Sequence, residues 1–257
     1  MSGIHDQLLA AIEQEQGALL ATQMSGDKPG AKLLLLDDGT SQGKLAPAAL
    51  DQQVRADGQS MLNSGEATSR SYEVDGATVD VYLESHLPPR RMVIVGAVHT
   101  AIHLVAFARE FGCHTTVVDA REMFATRERF PHADELLIGW PDEIMPDLNL
   151  GPQTDIVMLA HDPKFEDPAM EVALKSRAGY IGAMGSKNTS AARDERLKAR
   201  GFTDEQISRI HGPVGLNLGG KTPPEIAISI MAEIVAVRRG KDPRASSSPL
   251  QPAKSDQ

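Results

Sequence analysis

The chain has 257 residues, 41% of them apolar and 24% charged, with a formal net charge of -9. That length suits one large core or two modest ones, and no apolar run approaches the ~20 residues needed to cross a bilayer, which argues against a membrane protein. The basic residues are dispersed, which argues against a nucleic-acid surface, and the one cysteine, Cys113, excludes an internal disulfide or a cysteine-based zinc cluster. The first stretch, "MSGIHDQLLAAIEQEQG", is amphipathic and acidic without the cationic start of a signal peptide, so the expected location is cytoplasmic.

In chain order, a helix from about His5 to Gln16 precedes a strand at Ala18 to Gln23, a Gly/Pro loop and a second strand in "AKLLLLDDGT". A helical stretch around Leu50 to Leu62 follows. In "SRSYEVDGATVDVYLE" the alternating Tyr72, Val74 and Val79, Val81, Leu83 flank Asp75-Gly76, and Asp-Gly readily takes the positive φ values of a two-residue hairpin turn. Residues 1–87 therefore read as a small α+β domain, closed by the stiff Leu87-Pro88-Pro89 linker. From 91 to 240 the pattern changes. The apolar runs "MVIVG", "TTVVD", "DIVMLAHD" and "GYIGAMG" alternate with helical stretches, as in an α/β domain whose parallel sheet is buried on both faces, with a Rossmann-like order of elements. Its last helix is marked by Thr222 as N-cap, Pro223 in the first turn, Glu225 completing a capping box and Gly240 past the end. Residues 241–257 carry almost no large apolar side chain and are expected to be disordered.

Several places could hold chemistry. In "VGAVHTAIH" Gly96 ends a strand as in a dinucleotide-binding turn, but Val98 and Ala101 replace the glycines that admit a pyrophosphate and close helix packing. Asp119 ends the next strand, where an acidic residue would meet a ribose hydroxyl; the alternative is a plain strand-end residue. His99 and His103 lie four apart, near enough to share a metal, yet no carboxylate or cysteine accompanies them, so no metal site is assigned. His161-Asp162 follows "DIVMLA" at a strand's carboxyl end, where ligands of open α/β sheets bind, though either could simply cap a helix. Gly185, Ser186 and Lys187 form a turn before a helix whose amides and dipole favour an anion, without the spacing of a Walker loop. The glycine-rich "GPVGLNLGGKTPPE", containing Gly215, implies close backbone approach, and Glu225, Ser229 and Glu233 draw a polar line on an otherwise apolar helix that faces either water or a cavity.

Residues 91 to 240 resemble the C-terminal Rossmann-like domain of the XdhC/CoxI family, the xanthine dehydrogenase accessory factors. The likeness lies in "VDAREMFATRERFPHADELL", "YIGAMGSK" and "GPVGLNLGGKTPPEIAISIMAEI", in that order; residues 17 to 90 resemble the family's N-terminal domain more faintly through "KPGAKLLLLDDGTSQG" and "VDVYLESHLPPRRMVIVGA". The resemblance implies an accessory chaperone, not itself an enzyme, that binds the molybdenum cofactor, protects it during sulfuration and inserts it into a xanthine dehydrogenase-type molybdenum hydroxylase. It also implies a cysteine desulfurase as a further partner and a homodimer as a possible assembly. The cofactor-binding residues would be Gly96, His99, Asp119, His161, Asp162, Gly185, Ser186, Lys187, Gly215 and Glu225. The chain departs from the family at both cysteine positions, reading Leu45-Ala46-Pro47 and Asp75-Gly76-Ala77, and "GAVH" stands for the family's Gly-Ala-Gly-His. Two other functions compete: an NAD(P)-dependent oxidoreductase using Gly96 and Asp119, against which Val98 argues, and a diverged scaffold that has lost the cofactor.

Overall fold

The computed structural model describes residues 3–62, 65, 67–160 and 162–243. The first part of the chain runs α1 (Ile4–Glu13), β1 (Ala18–Gln23), β2 (Lys32–Leu36), β3 (Ser41–Gly43), α2 (Ala48–Met61), β4 (Ala67–Val74) and β5 (Ala77–His86). The strands form an antiparallel sheet in the order β3-β2-β1-β5-β4. The β4–β5 hairpin turns at Asp75 and Gly76 with φ of 52° and 80°, the left-handed pair that the Asp-Gly sequence favours. Alternation along β5 sends Val79, Val81 and Leu83 to one face, where they meet Leu50 and Val54 of α2; Leu8 and Ala11 of α1 cover Leu20 and Leu34 on the other.

The second part runs β6 (Arg91–Val95), α3 (His99–Glu110), β7 (His114–Asp119), β8 (Glu135–Ile138), α4 (Pro141–Ile144), β9 (Thr154–Met158), α5 (Pro163–Lys175), β10 (Tyr180–Ala183), α6 (Lys187–Ala199), α7 (Asp204–Ser208), β11 (Ile210–His211) and α8 (Pro223–Arg238). All six strands are parallel, in the order β11-β10-β9-β6-β7-β8. The chain winds outward from β6 to β8, returns beside β6 as β9, and winds the other way to β11. This is the doubly wound arrangement, with its switch point between β6 and β9. One face carries α3 and α8, whose Leu104, Val105, Ile230 and Ile234 pack on Met92, Ile94 and Val157; the other carries α5 and α6, with Phe165, Met170 and Leu197 on Val93, Val95 and Ile156. Burial on both faces is why these strands read as unbroken apolar runs.

The sheet has two strands beyond the four that the apolar runs mark. They are its edges: β8 is only partly buried and β11 has two residues, so neither needs a long apolar run. The helix-end signals of α8 hold in detail, because the Glu225 carboxylate accepts the Thr222 and Lys221 amides at 2.8 and 2.9 Å, and Gly240 follows at φ 64°. Two ion pairs tie the sheets together, Arg91 to Glu15 at 2.6 Å and Arg177 to Asp37 at 3.1 Å. No described helix is long and apolar enough to span a membrane. Of the tail expected from 241 onward, residues 244–257 lie outside the described residues, as does His161.

Candidate functional site

Loops at the carboxyl ends of parallel strands form the ligand-binding edge of such a sheet. The candidate residues within the described chain all fall there: Gly96 and His99 after β6, Asp119 closing β7, Asp162 after β9, Gly185, Ser186 and Lys187 after β10, and Gly215 and Glu225 between β11 and the first turn of α8. Sequence separation is large, so only the topology assembles them. His99 opens α3 and is exposed, while His103 is half-buried on the same helix. Among the described residues no cluster of histidine, cysteine or carboxylate side chains could hold a metal.

The turn after β6 is held from within. Gly96 takes φ 111°, and a methyl group there would come within 2.8 Å of the Ala160 backbone nitrogen. Close approach is therefore required by the chain's own β9 loop across the switch point. The next amide, of Ala97, donates to Asp119 Oδ2 at 2.7 Å, and that of Val98 donates to Gly96 O at 2.9 Å. These are amides that a pyrophosphate would need. Val98 then serves as N-cap of α3.

Asp119 is fully buried, and its two oxygens also accept from Arg121: the backbone amide and Nε at 2.9 Å on Oδ1, and Nη2 at 2.7 Å on Oδ2. Burial opposes its charge, but the Arg121 and Ala97 hydrogen bonds outweigh that and hold the carboxyl below its ordinary range. Its carboxylate thus fastens β7 to the β6 turn. Asp162 is the N-cap of α5, accepting the Lys164 amide at 3.0 Å.

The turn after β10 is more open to a ligand. Ser186 is the N-cap of α6 and accepts the Thr189 amide at 3.1 Å; Lys187, the first helical residue, is exposed. Gly185 adopts φ 147° and fits against Thr189, whose Cβ would lie 3.0 Å from an added methyl group. An exposed ammonium at the positive end of a helix of this length suits an anion.

The polar line on α8 divides. Glu225 is exposed and occupied by capping, which pulls its carboxyl down to about 2, chiefly through the Thr222 and Lys221 amides. Glu233 is buried, accepting the Tyr180 hydroxyl at 2.5 Å and the Gly215 amide at 2.8 Å, while His211 stacks on the Tyr180 ring at 4.8 Å. Gly215, at φ 94°, has room for no side chain because one would strike Ser229 Oγ at 2.5 Å. The glycine-rich loop is thereby seated on α8 by Glu233, a role the sequence signalled only as a polar residue in an apolar helix. Arg121 and Tyr180, which complete these two anchors, stand in the strings "VDAREMFATRERFPHADELL" and "YIGAMGSK" but were not among the candidate site residues.

Cys113 lies just before β7, at the opposite edge of the sheet, and is buried; burial, followed by the Asp155 charge, pushes its thiol up.

These features define an open α/β protein whose carboxyl edge offers an anion-favouring turn, a histidine at the switch point and a glycine-rich loop, while its one thiol is buried at the opposite edge. Residues 92–234 match the XdhC Rossmann domain family, and the chain belongs to it. A Bacillus subtilis strain 168 protein described as a probable xanthine dehydrogenase component is 28% identical over 162 residues, covering 63% of this chain and 47% of that protein. The molybdenum cofactor insertion chaperone PaoD of Escherichia coli K12 is 32% identical over 85 residues, covering 33% of this chain and 27% of PaoD. The chain thus spans under half the length of either relative. A crystal structure of a Bacillus halodurans protein described as a xanthine dehydrogenase shares the fold at TM-score 0.54 and 21% identity, over 94% of this chain and 97% of that one.

Proposed function

We propose that this protein is an accessory chaperone that binds the molybdenum cofactor, assists its sulfuration and inserts it into a xanthine dehydrogenase-type molybdenum hydroxylase. One observation carries the reading: the XdhC Rossmann match spans the loops whose turns gather at the carboxyl edge, including the Gly185-Ser186-Lys187 turn. The relative named as a molybdenum cofactor insertion chaperone supports it.

The residues fit a phosphate-bearing pterin as cargo. Lys187 and the α6 amides would take its phosphate, with His99 and Asp162 beside the switch point and Gly215 in the loop above α8. Asp119 and Glu225 belong to this edge as supports, since their carboxylates already hold backbone amides. A dinucleotide fits less well, because the amides of Ala97 and Val98 are taken. For sulfuration the chain supplies no accessible thiol, as Cys113 is buried. Sulfur would then come from a cysteine desulfurase partner. A cytoplasmic setting and a homodimer belong to the same proposal.

The test is to purify the protein from cells that make molybdenum cofactor, denature it, oxidise the released pterin and measure its fluorescence. Near-stoichiometric pterin is expected from the wild type. Because Lys187 is exposed, Lys187→Ala should weaken retention by about 1 kcal/mol, the low end for a charge-assisted hydrogen bond. Wild-type protein free of pterin would overturn the proposal.

A further inference from the structure

Helices α5 and α6 are joined by a buried charge network. Arg193, fully buried, donates from Nε to Glu166 Oε1 at 2.9 Å and from Nη2 to Met184 O at 2.8 Å; Arg196 pairs with Asp167 at 2.9 Å and Arg200 with Asp167 at 3.4 Å. Three guanidinium groups face two buried carboxylates, an excess of one positive charge. Glu171 does not cancel it, because that carboxylate pairs with Lys175 as well as Arg200.

One donor of the network is left over. Arg193 Nη1 is buried with no hydrogen-bond partner among the described residues, and so is Ser190 Oγ. Both atoms lie beside Gly212, where any side chain would crowd them: a methyl group added there would lie 3.0 Å from Ser190 Oγ and 3.2 Å from Arg193 Nη1. Their residues, with Gly212, line a groove of about 370 Å³ along α6, between it and α7 and β11, with Asp194 in its wall and a 3.1 Å Lys198–Asp204 ion pair at its margin. A buried N–H group left without an acceptor has been taken from water with nothing in return, a cost that a ligand oxygen relieves.

We propose that this groove binds the phosphoryl group of a small molecule, with Arg193 Nη1 and the Ser190 hydroxyl donating to its oxygens and Gly212 placing no side chain against these donors. Nε and Nη2 being engaged, Nη1 offers the remaining N–H donors of a cationic group, which make short, strong hydrogen bonds to phosphoryl oxygens. Asp194 selects among oxyanions: a phosphate monoester, with a second pKa of about 6, can keep a P–O–H to donate to that carboxylate, whereas a carboxylate ligand has no such proton at neutral pH. The site lies along the flank of α6 and does not depend on the cofactor reading.

Titration calorimetry near pH 6 with inorganic phosphate, a simple alkyl phosphate monoester and acetate tests this. A dissociation constant of roughly millimolar is expected for the phosphates, with little heat from acetate. Tighter binding of the monoester identifies an organic phosphate as the occupant, and equal binding identifies free phosphate; either supports the site. Ser190→Ala, which removes only an unpartnered hydroxyl, should weaken binding about fivefold, and Ser190→Asp at least tenfold, both read in a Lys187→Ala background so that the anion-favouring start of α6 does not contribute. No phosphate binding by the wild type, equal binding of acetate, or wild-type affinity in both folded Ser190 variants would overturn the proposal.

Discussion

Replacing Asp119 by asparagine separates a residue that supports the site from one that contacts cargo. The carboxylate accepts four hydrogen bonds, from the Ala97 amide and Arg121 Nη2 on one oxygen and from the Arg121 amide and Nε on the other. Asparagine keeps a single acceptor. With its oxygen toward Ala97, its NH2 opposes two Arg121 donors; with its oxygen toward Arg121, the NH2 opposes the Ala97 amide. Either orientation sets donor against donor at a buried position. The Arg121 side chain is 52% exposed, so its ion pair contributes only about 0.2–1 kcal/mol. The unsatisfied buried amide contributes about 1–3 kcal/mol more. A total near 3 kcal/mol lowers Tm by roughly 6–12 °C for a unit of this size. Arg121→Ala should cost at most about 1 kcal/mol. The folded carboxyl is depressed below 3.8, so its contribution is present above pH 3.8 and is lost as pH falls through the folded value. The Asp119→Asn deficit should therefore shrink in acid. Scanning calorimetry at neutral and acid pH, with pterin content measured on the same samples, reads both effects. A Tm change below about 2 °C together with lost pterin would refute this reasoning and make Asp119 a ligand contact.

The Glu225 carboxyl sits at about 2, against an ordinary 4.5. Its capping interaction is fully present above 4.5 and lost as pH falls through about 2; the Lys221 and Thr222 amide resonances should titrate with that low midpoint, and a midpoint near 4.5 would refute the cap. Cys113→Ser should leave pterin content unchanged and lower stability by about 1–2 kcal/mol, because a hydroxyl replaces a thiol among apolar neighbours; pterin lost from a protein still folded by circular dichroism would place sulfur handling at Cys113.

The fold was legible where burial on two faces writes itself into composition. The runs "MVIVG", "TTVVD" and "DIVML" became the three central strands β6, β7 and β9, and the Asp75-Gly76 hairpin and Thr222-Glu225 cap followed from local chemistry. The edges β8 and β11 escaped because an edge strand needs little apolar sequence. The site was legible only as a set of turns. Gly96 looked like a place for a ligand, yet its neighbour is Ala160, far along the chain, and no local pattern announces that contact.

Arg193 shows the same limit from the opposite side. Helix α6, "KNTSAARDERLKA", reads as a solvated polar helix, and its arginines at 193 and 196 and the C-cap Arg200 follow the spacing of one face. That face is partly interior because α5 brings Glu166 and Asp167 against it, both at 2% exposure. Two acids after a helix start and three bases down the next helix are each ordinary alone. Only the parallel order of β9 and β10 sets the helices side by side, so that Arg193 pairs with Glu166 while Arg196 and Arg200 share Asp167. A buried charge must be paired or hydrogen-bonded to persist. Arg193 meets that demand at Nε and Nη2 and leaves Nη1 facing the space beside Gly212. Were Nη1 only a by-product of packing, Arg193→Lys, which keeps the charge and removes that donor, would bind phosphate as the wild type does; the geometry requires that it bind more weakly.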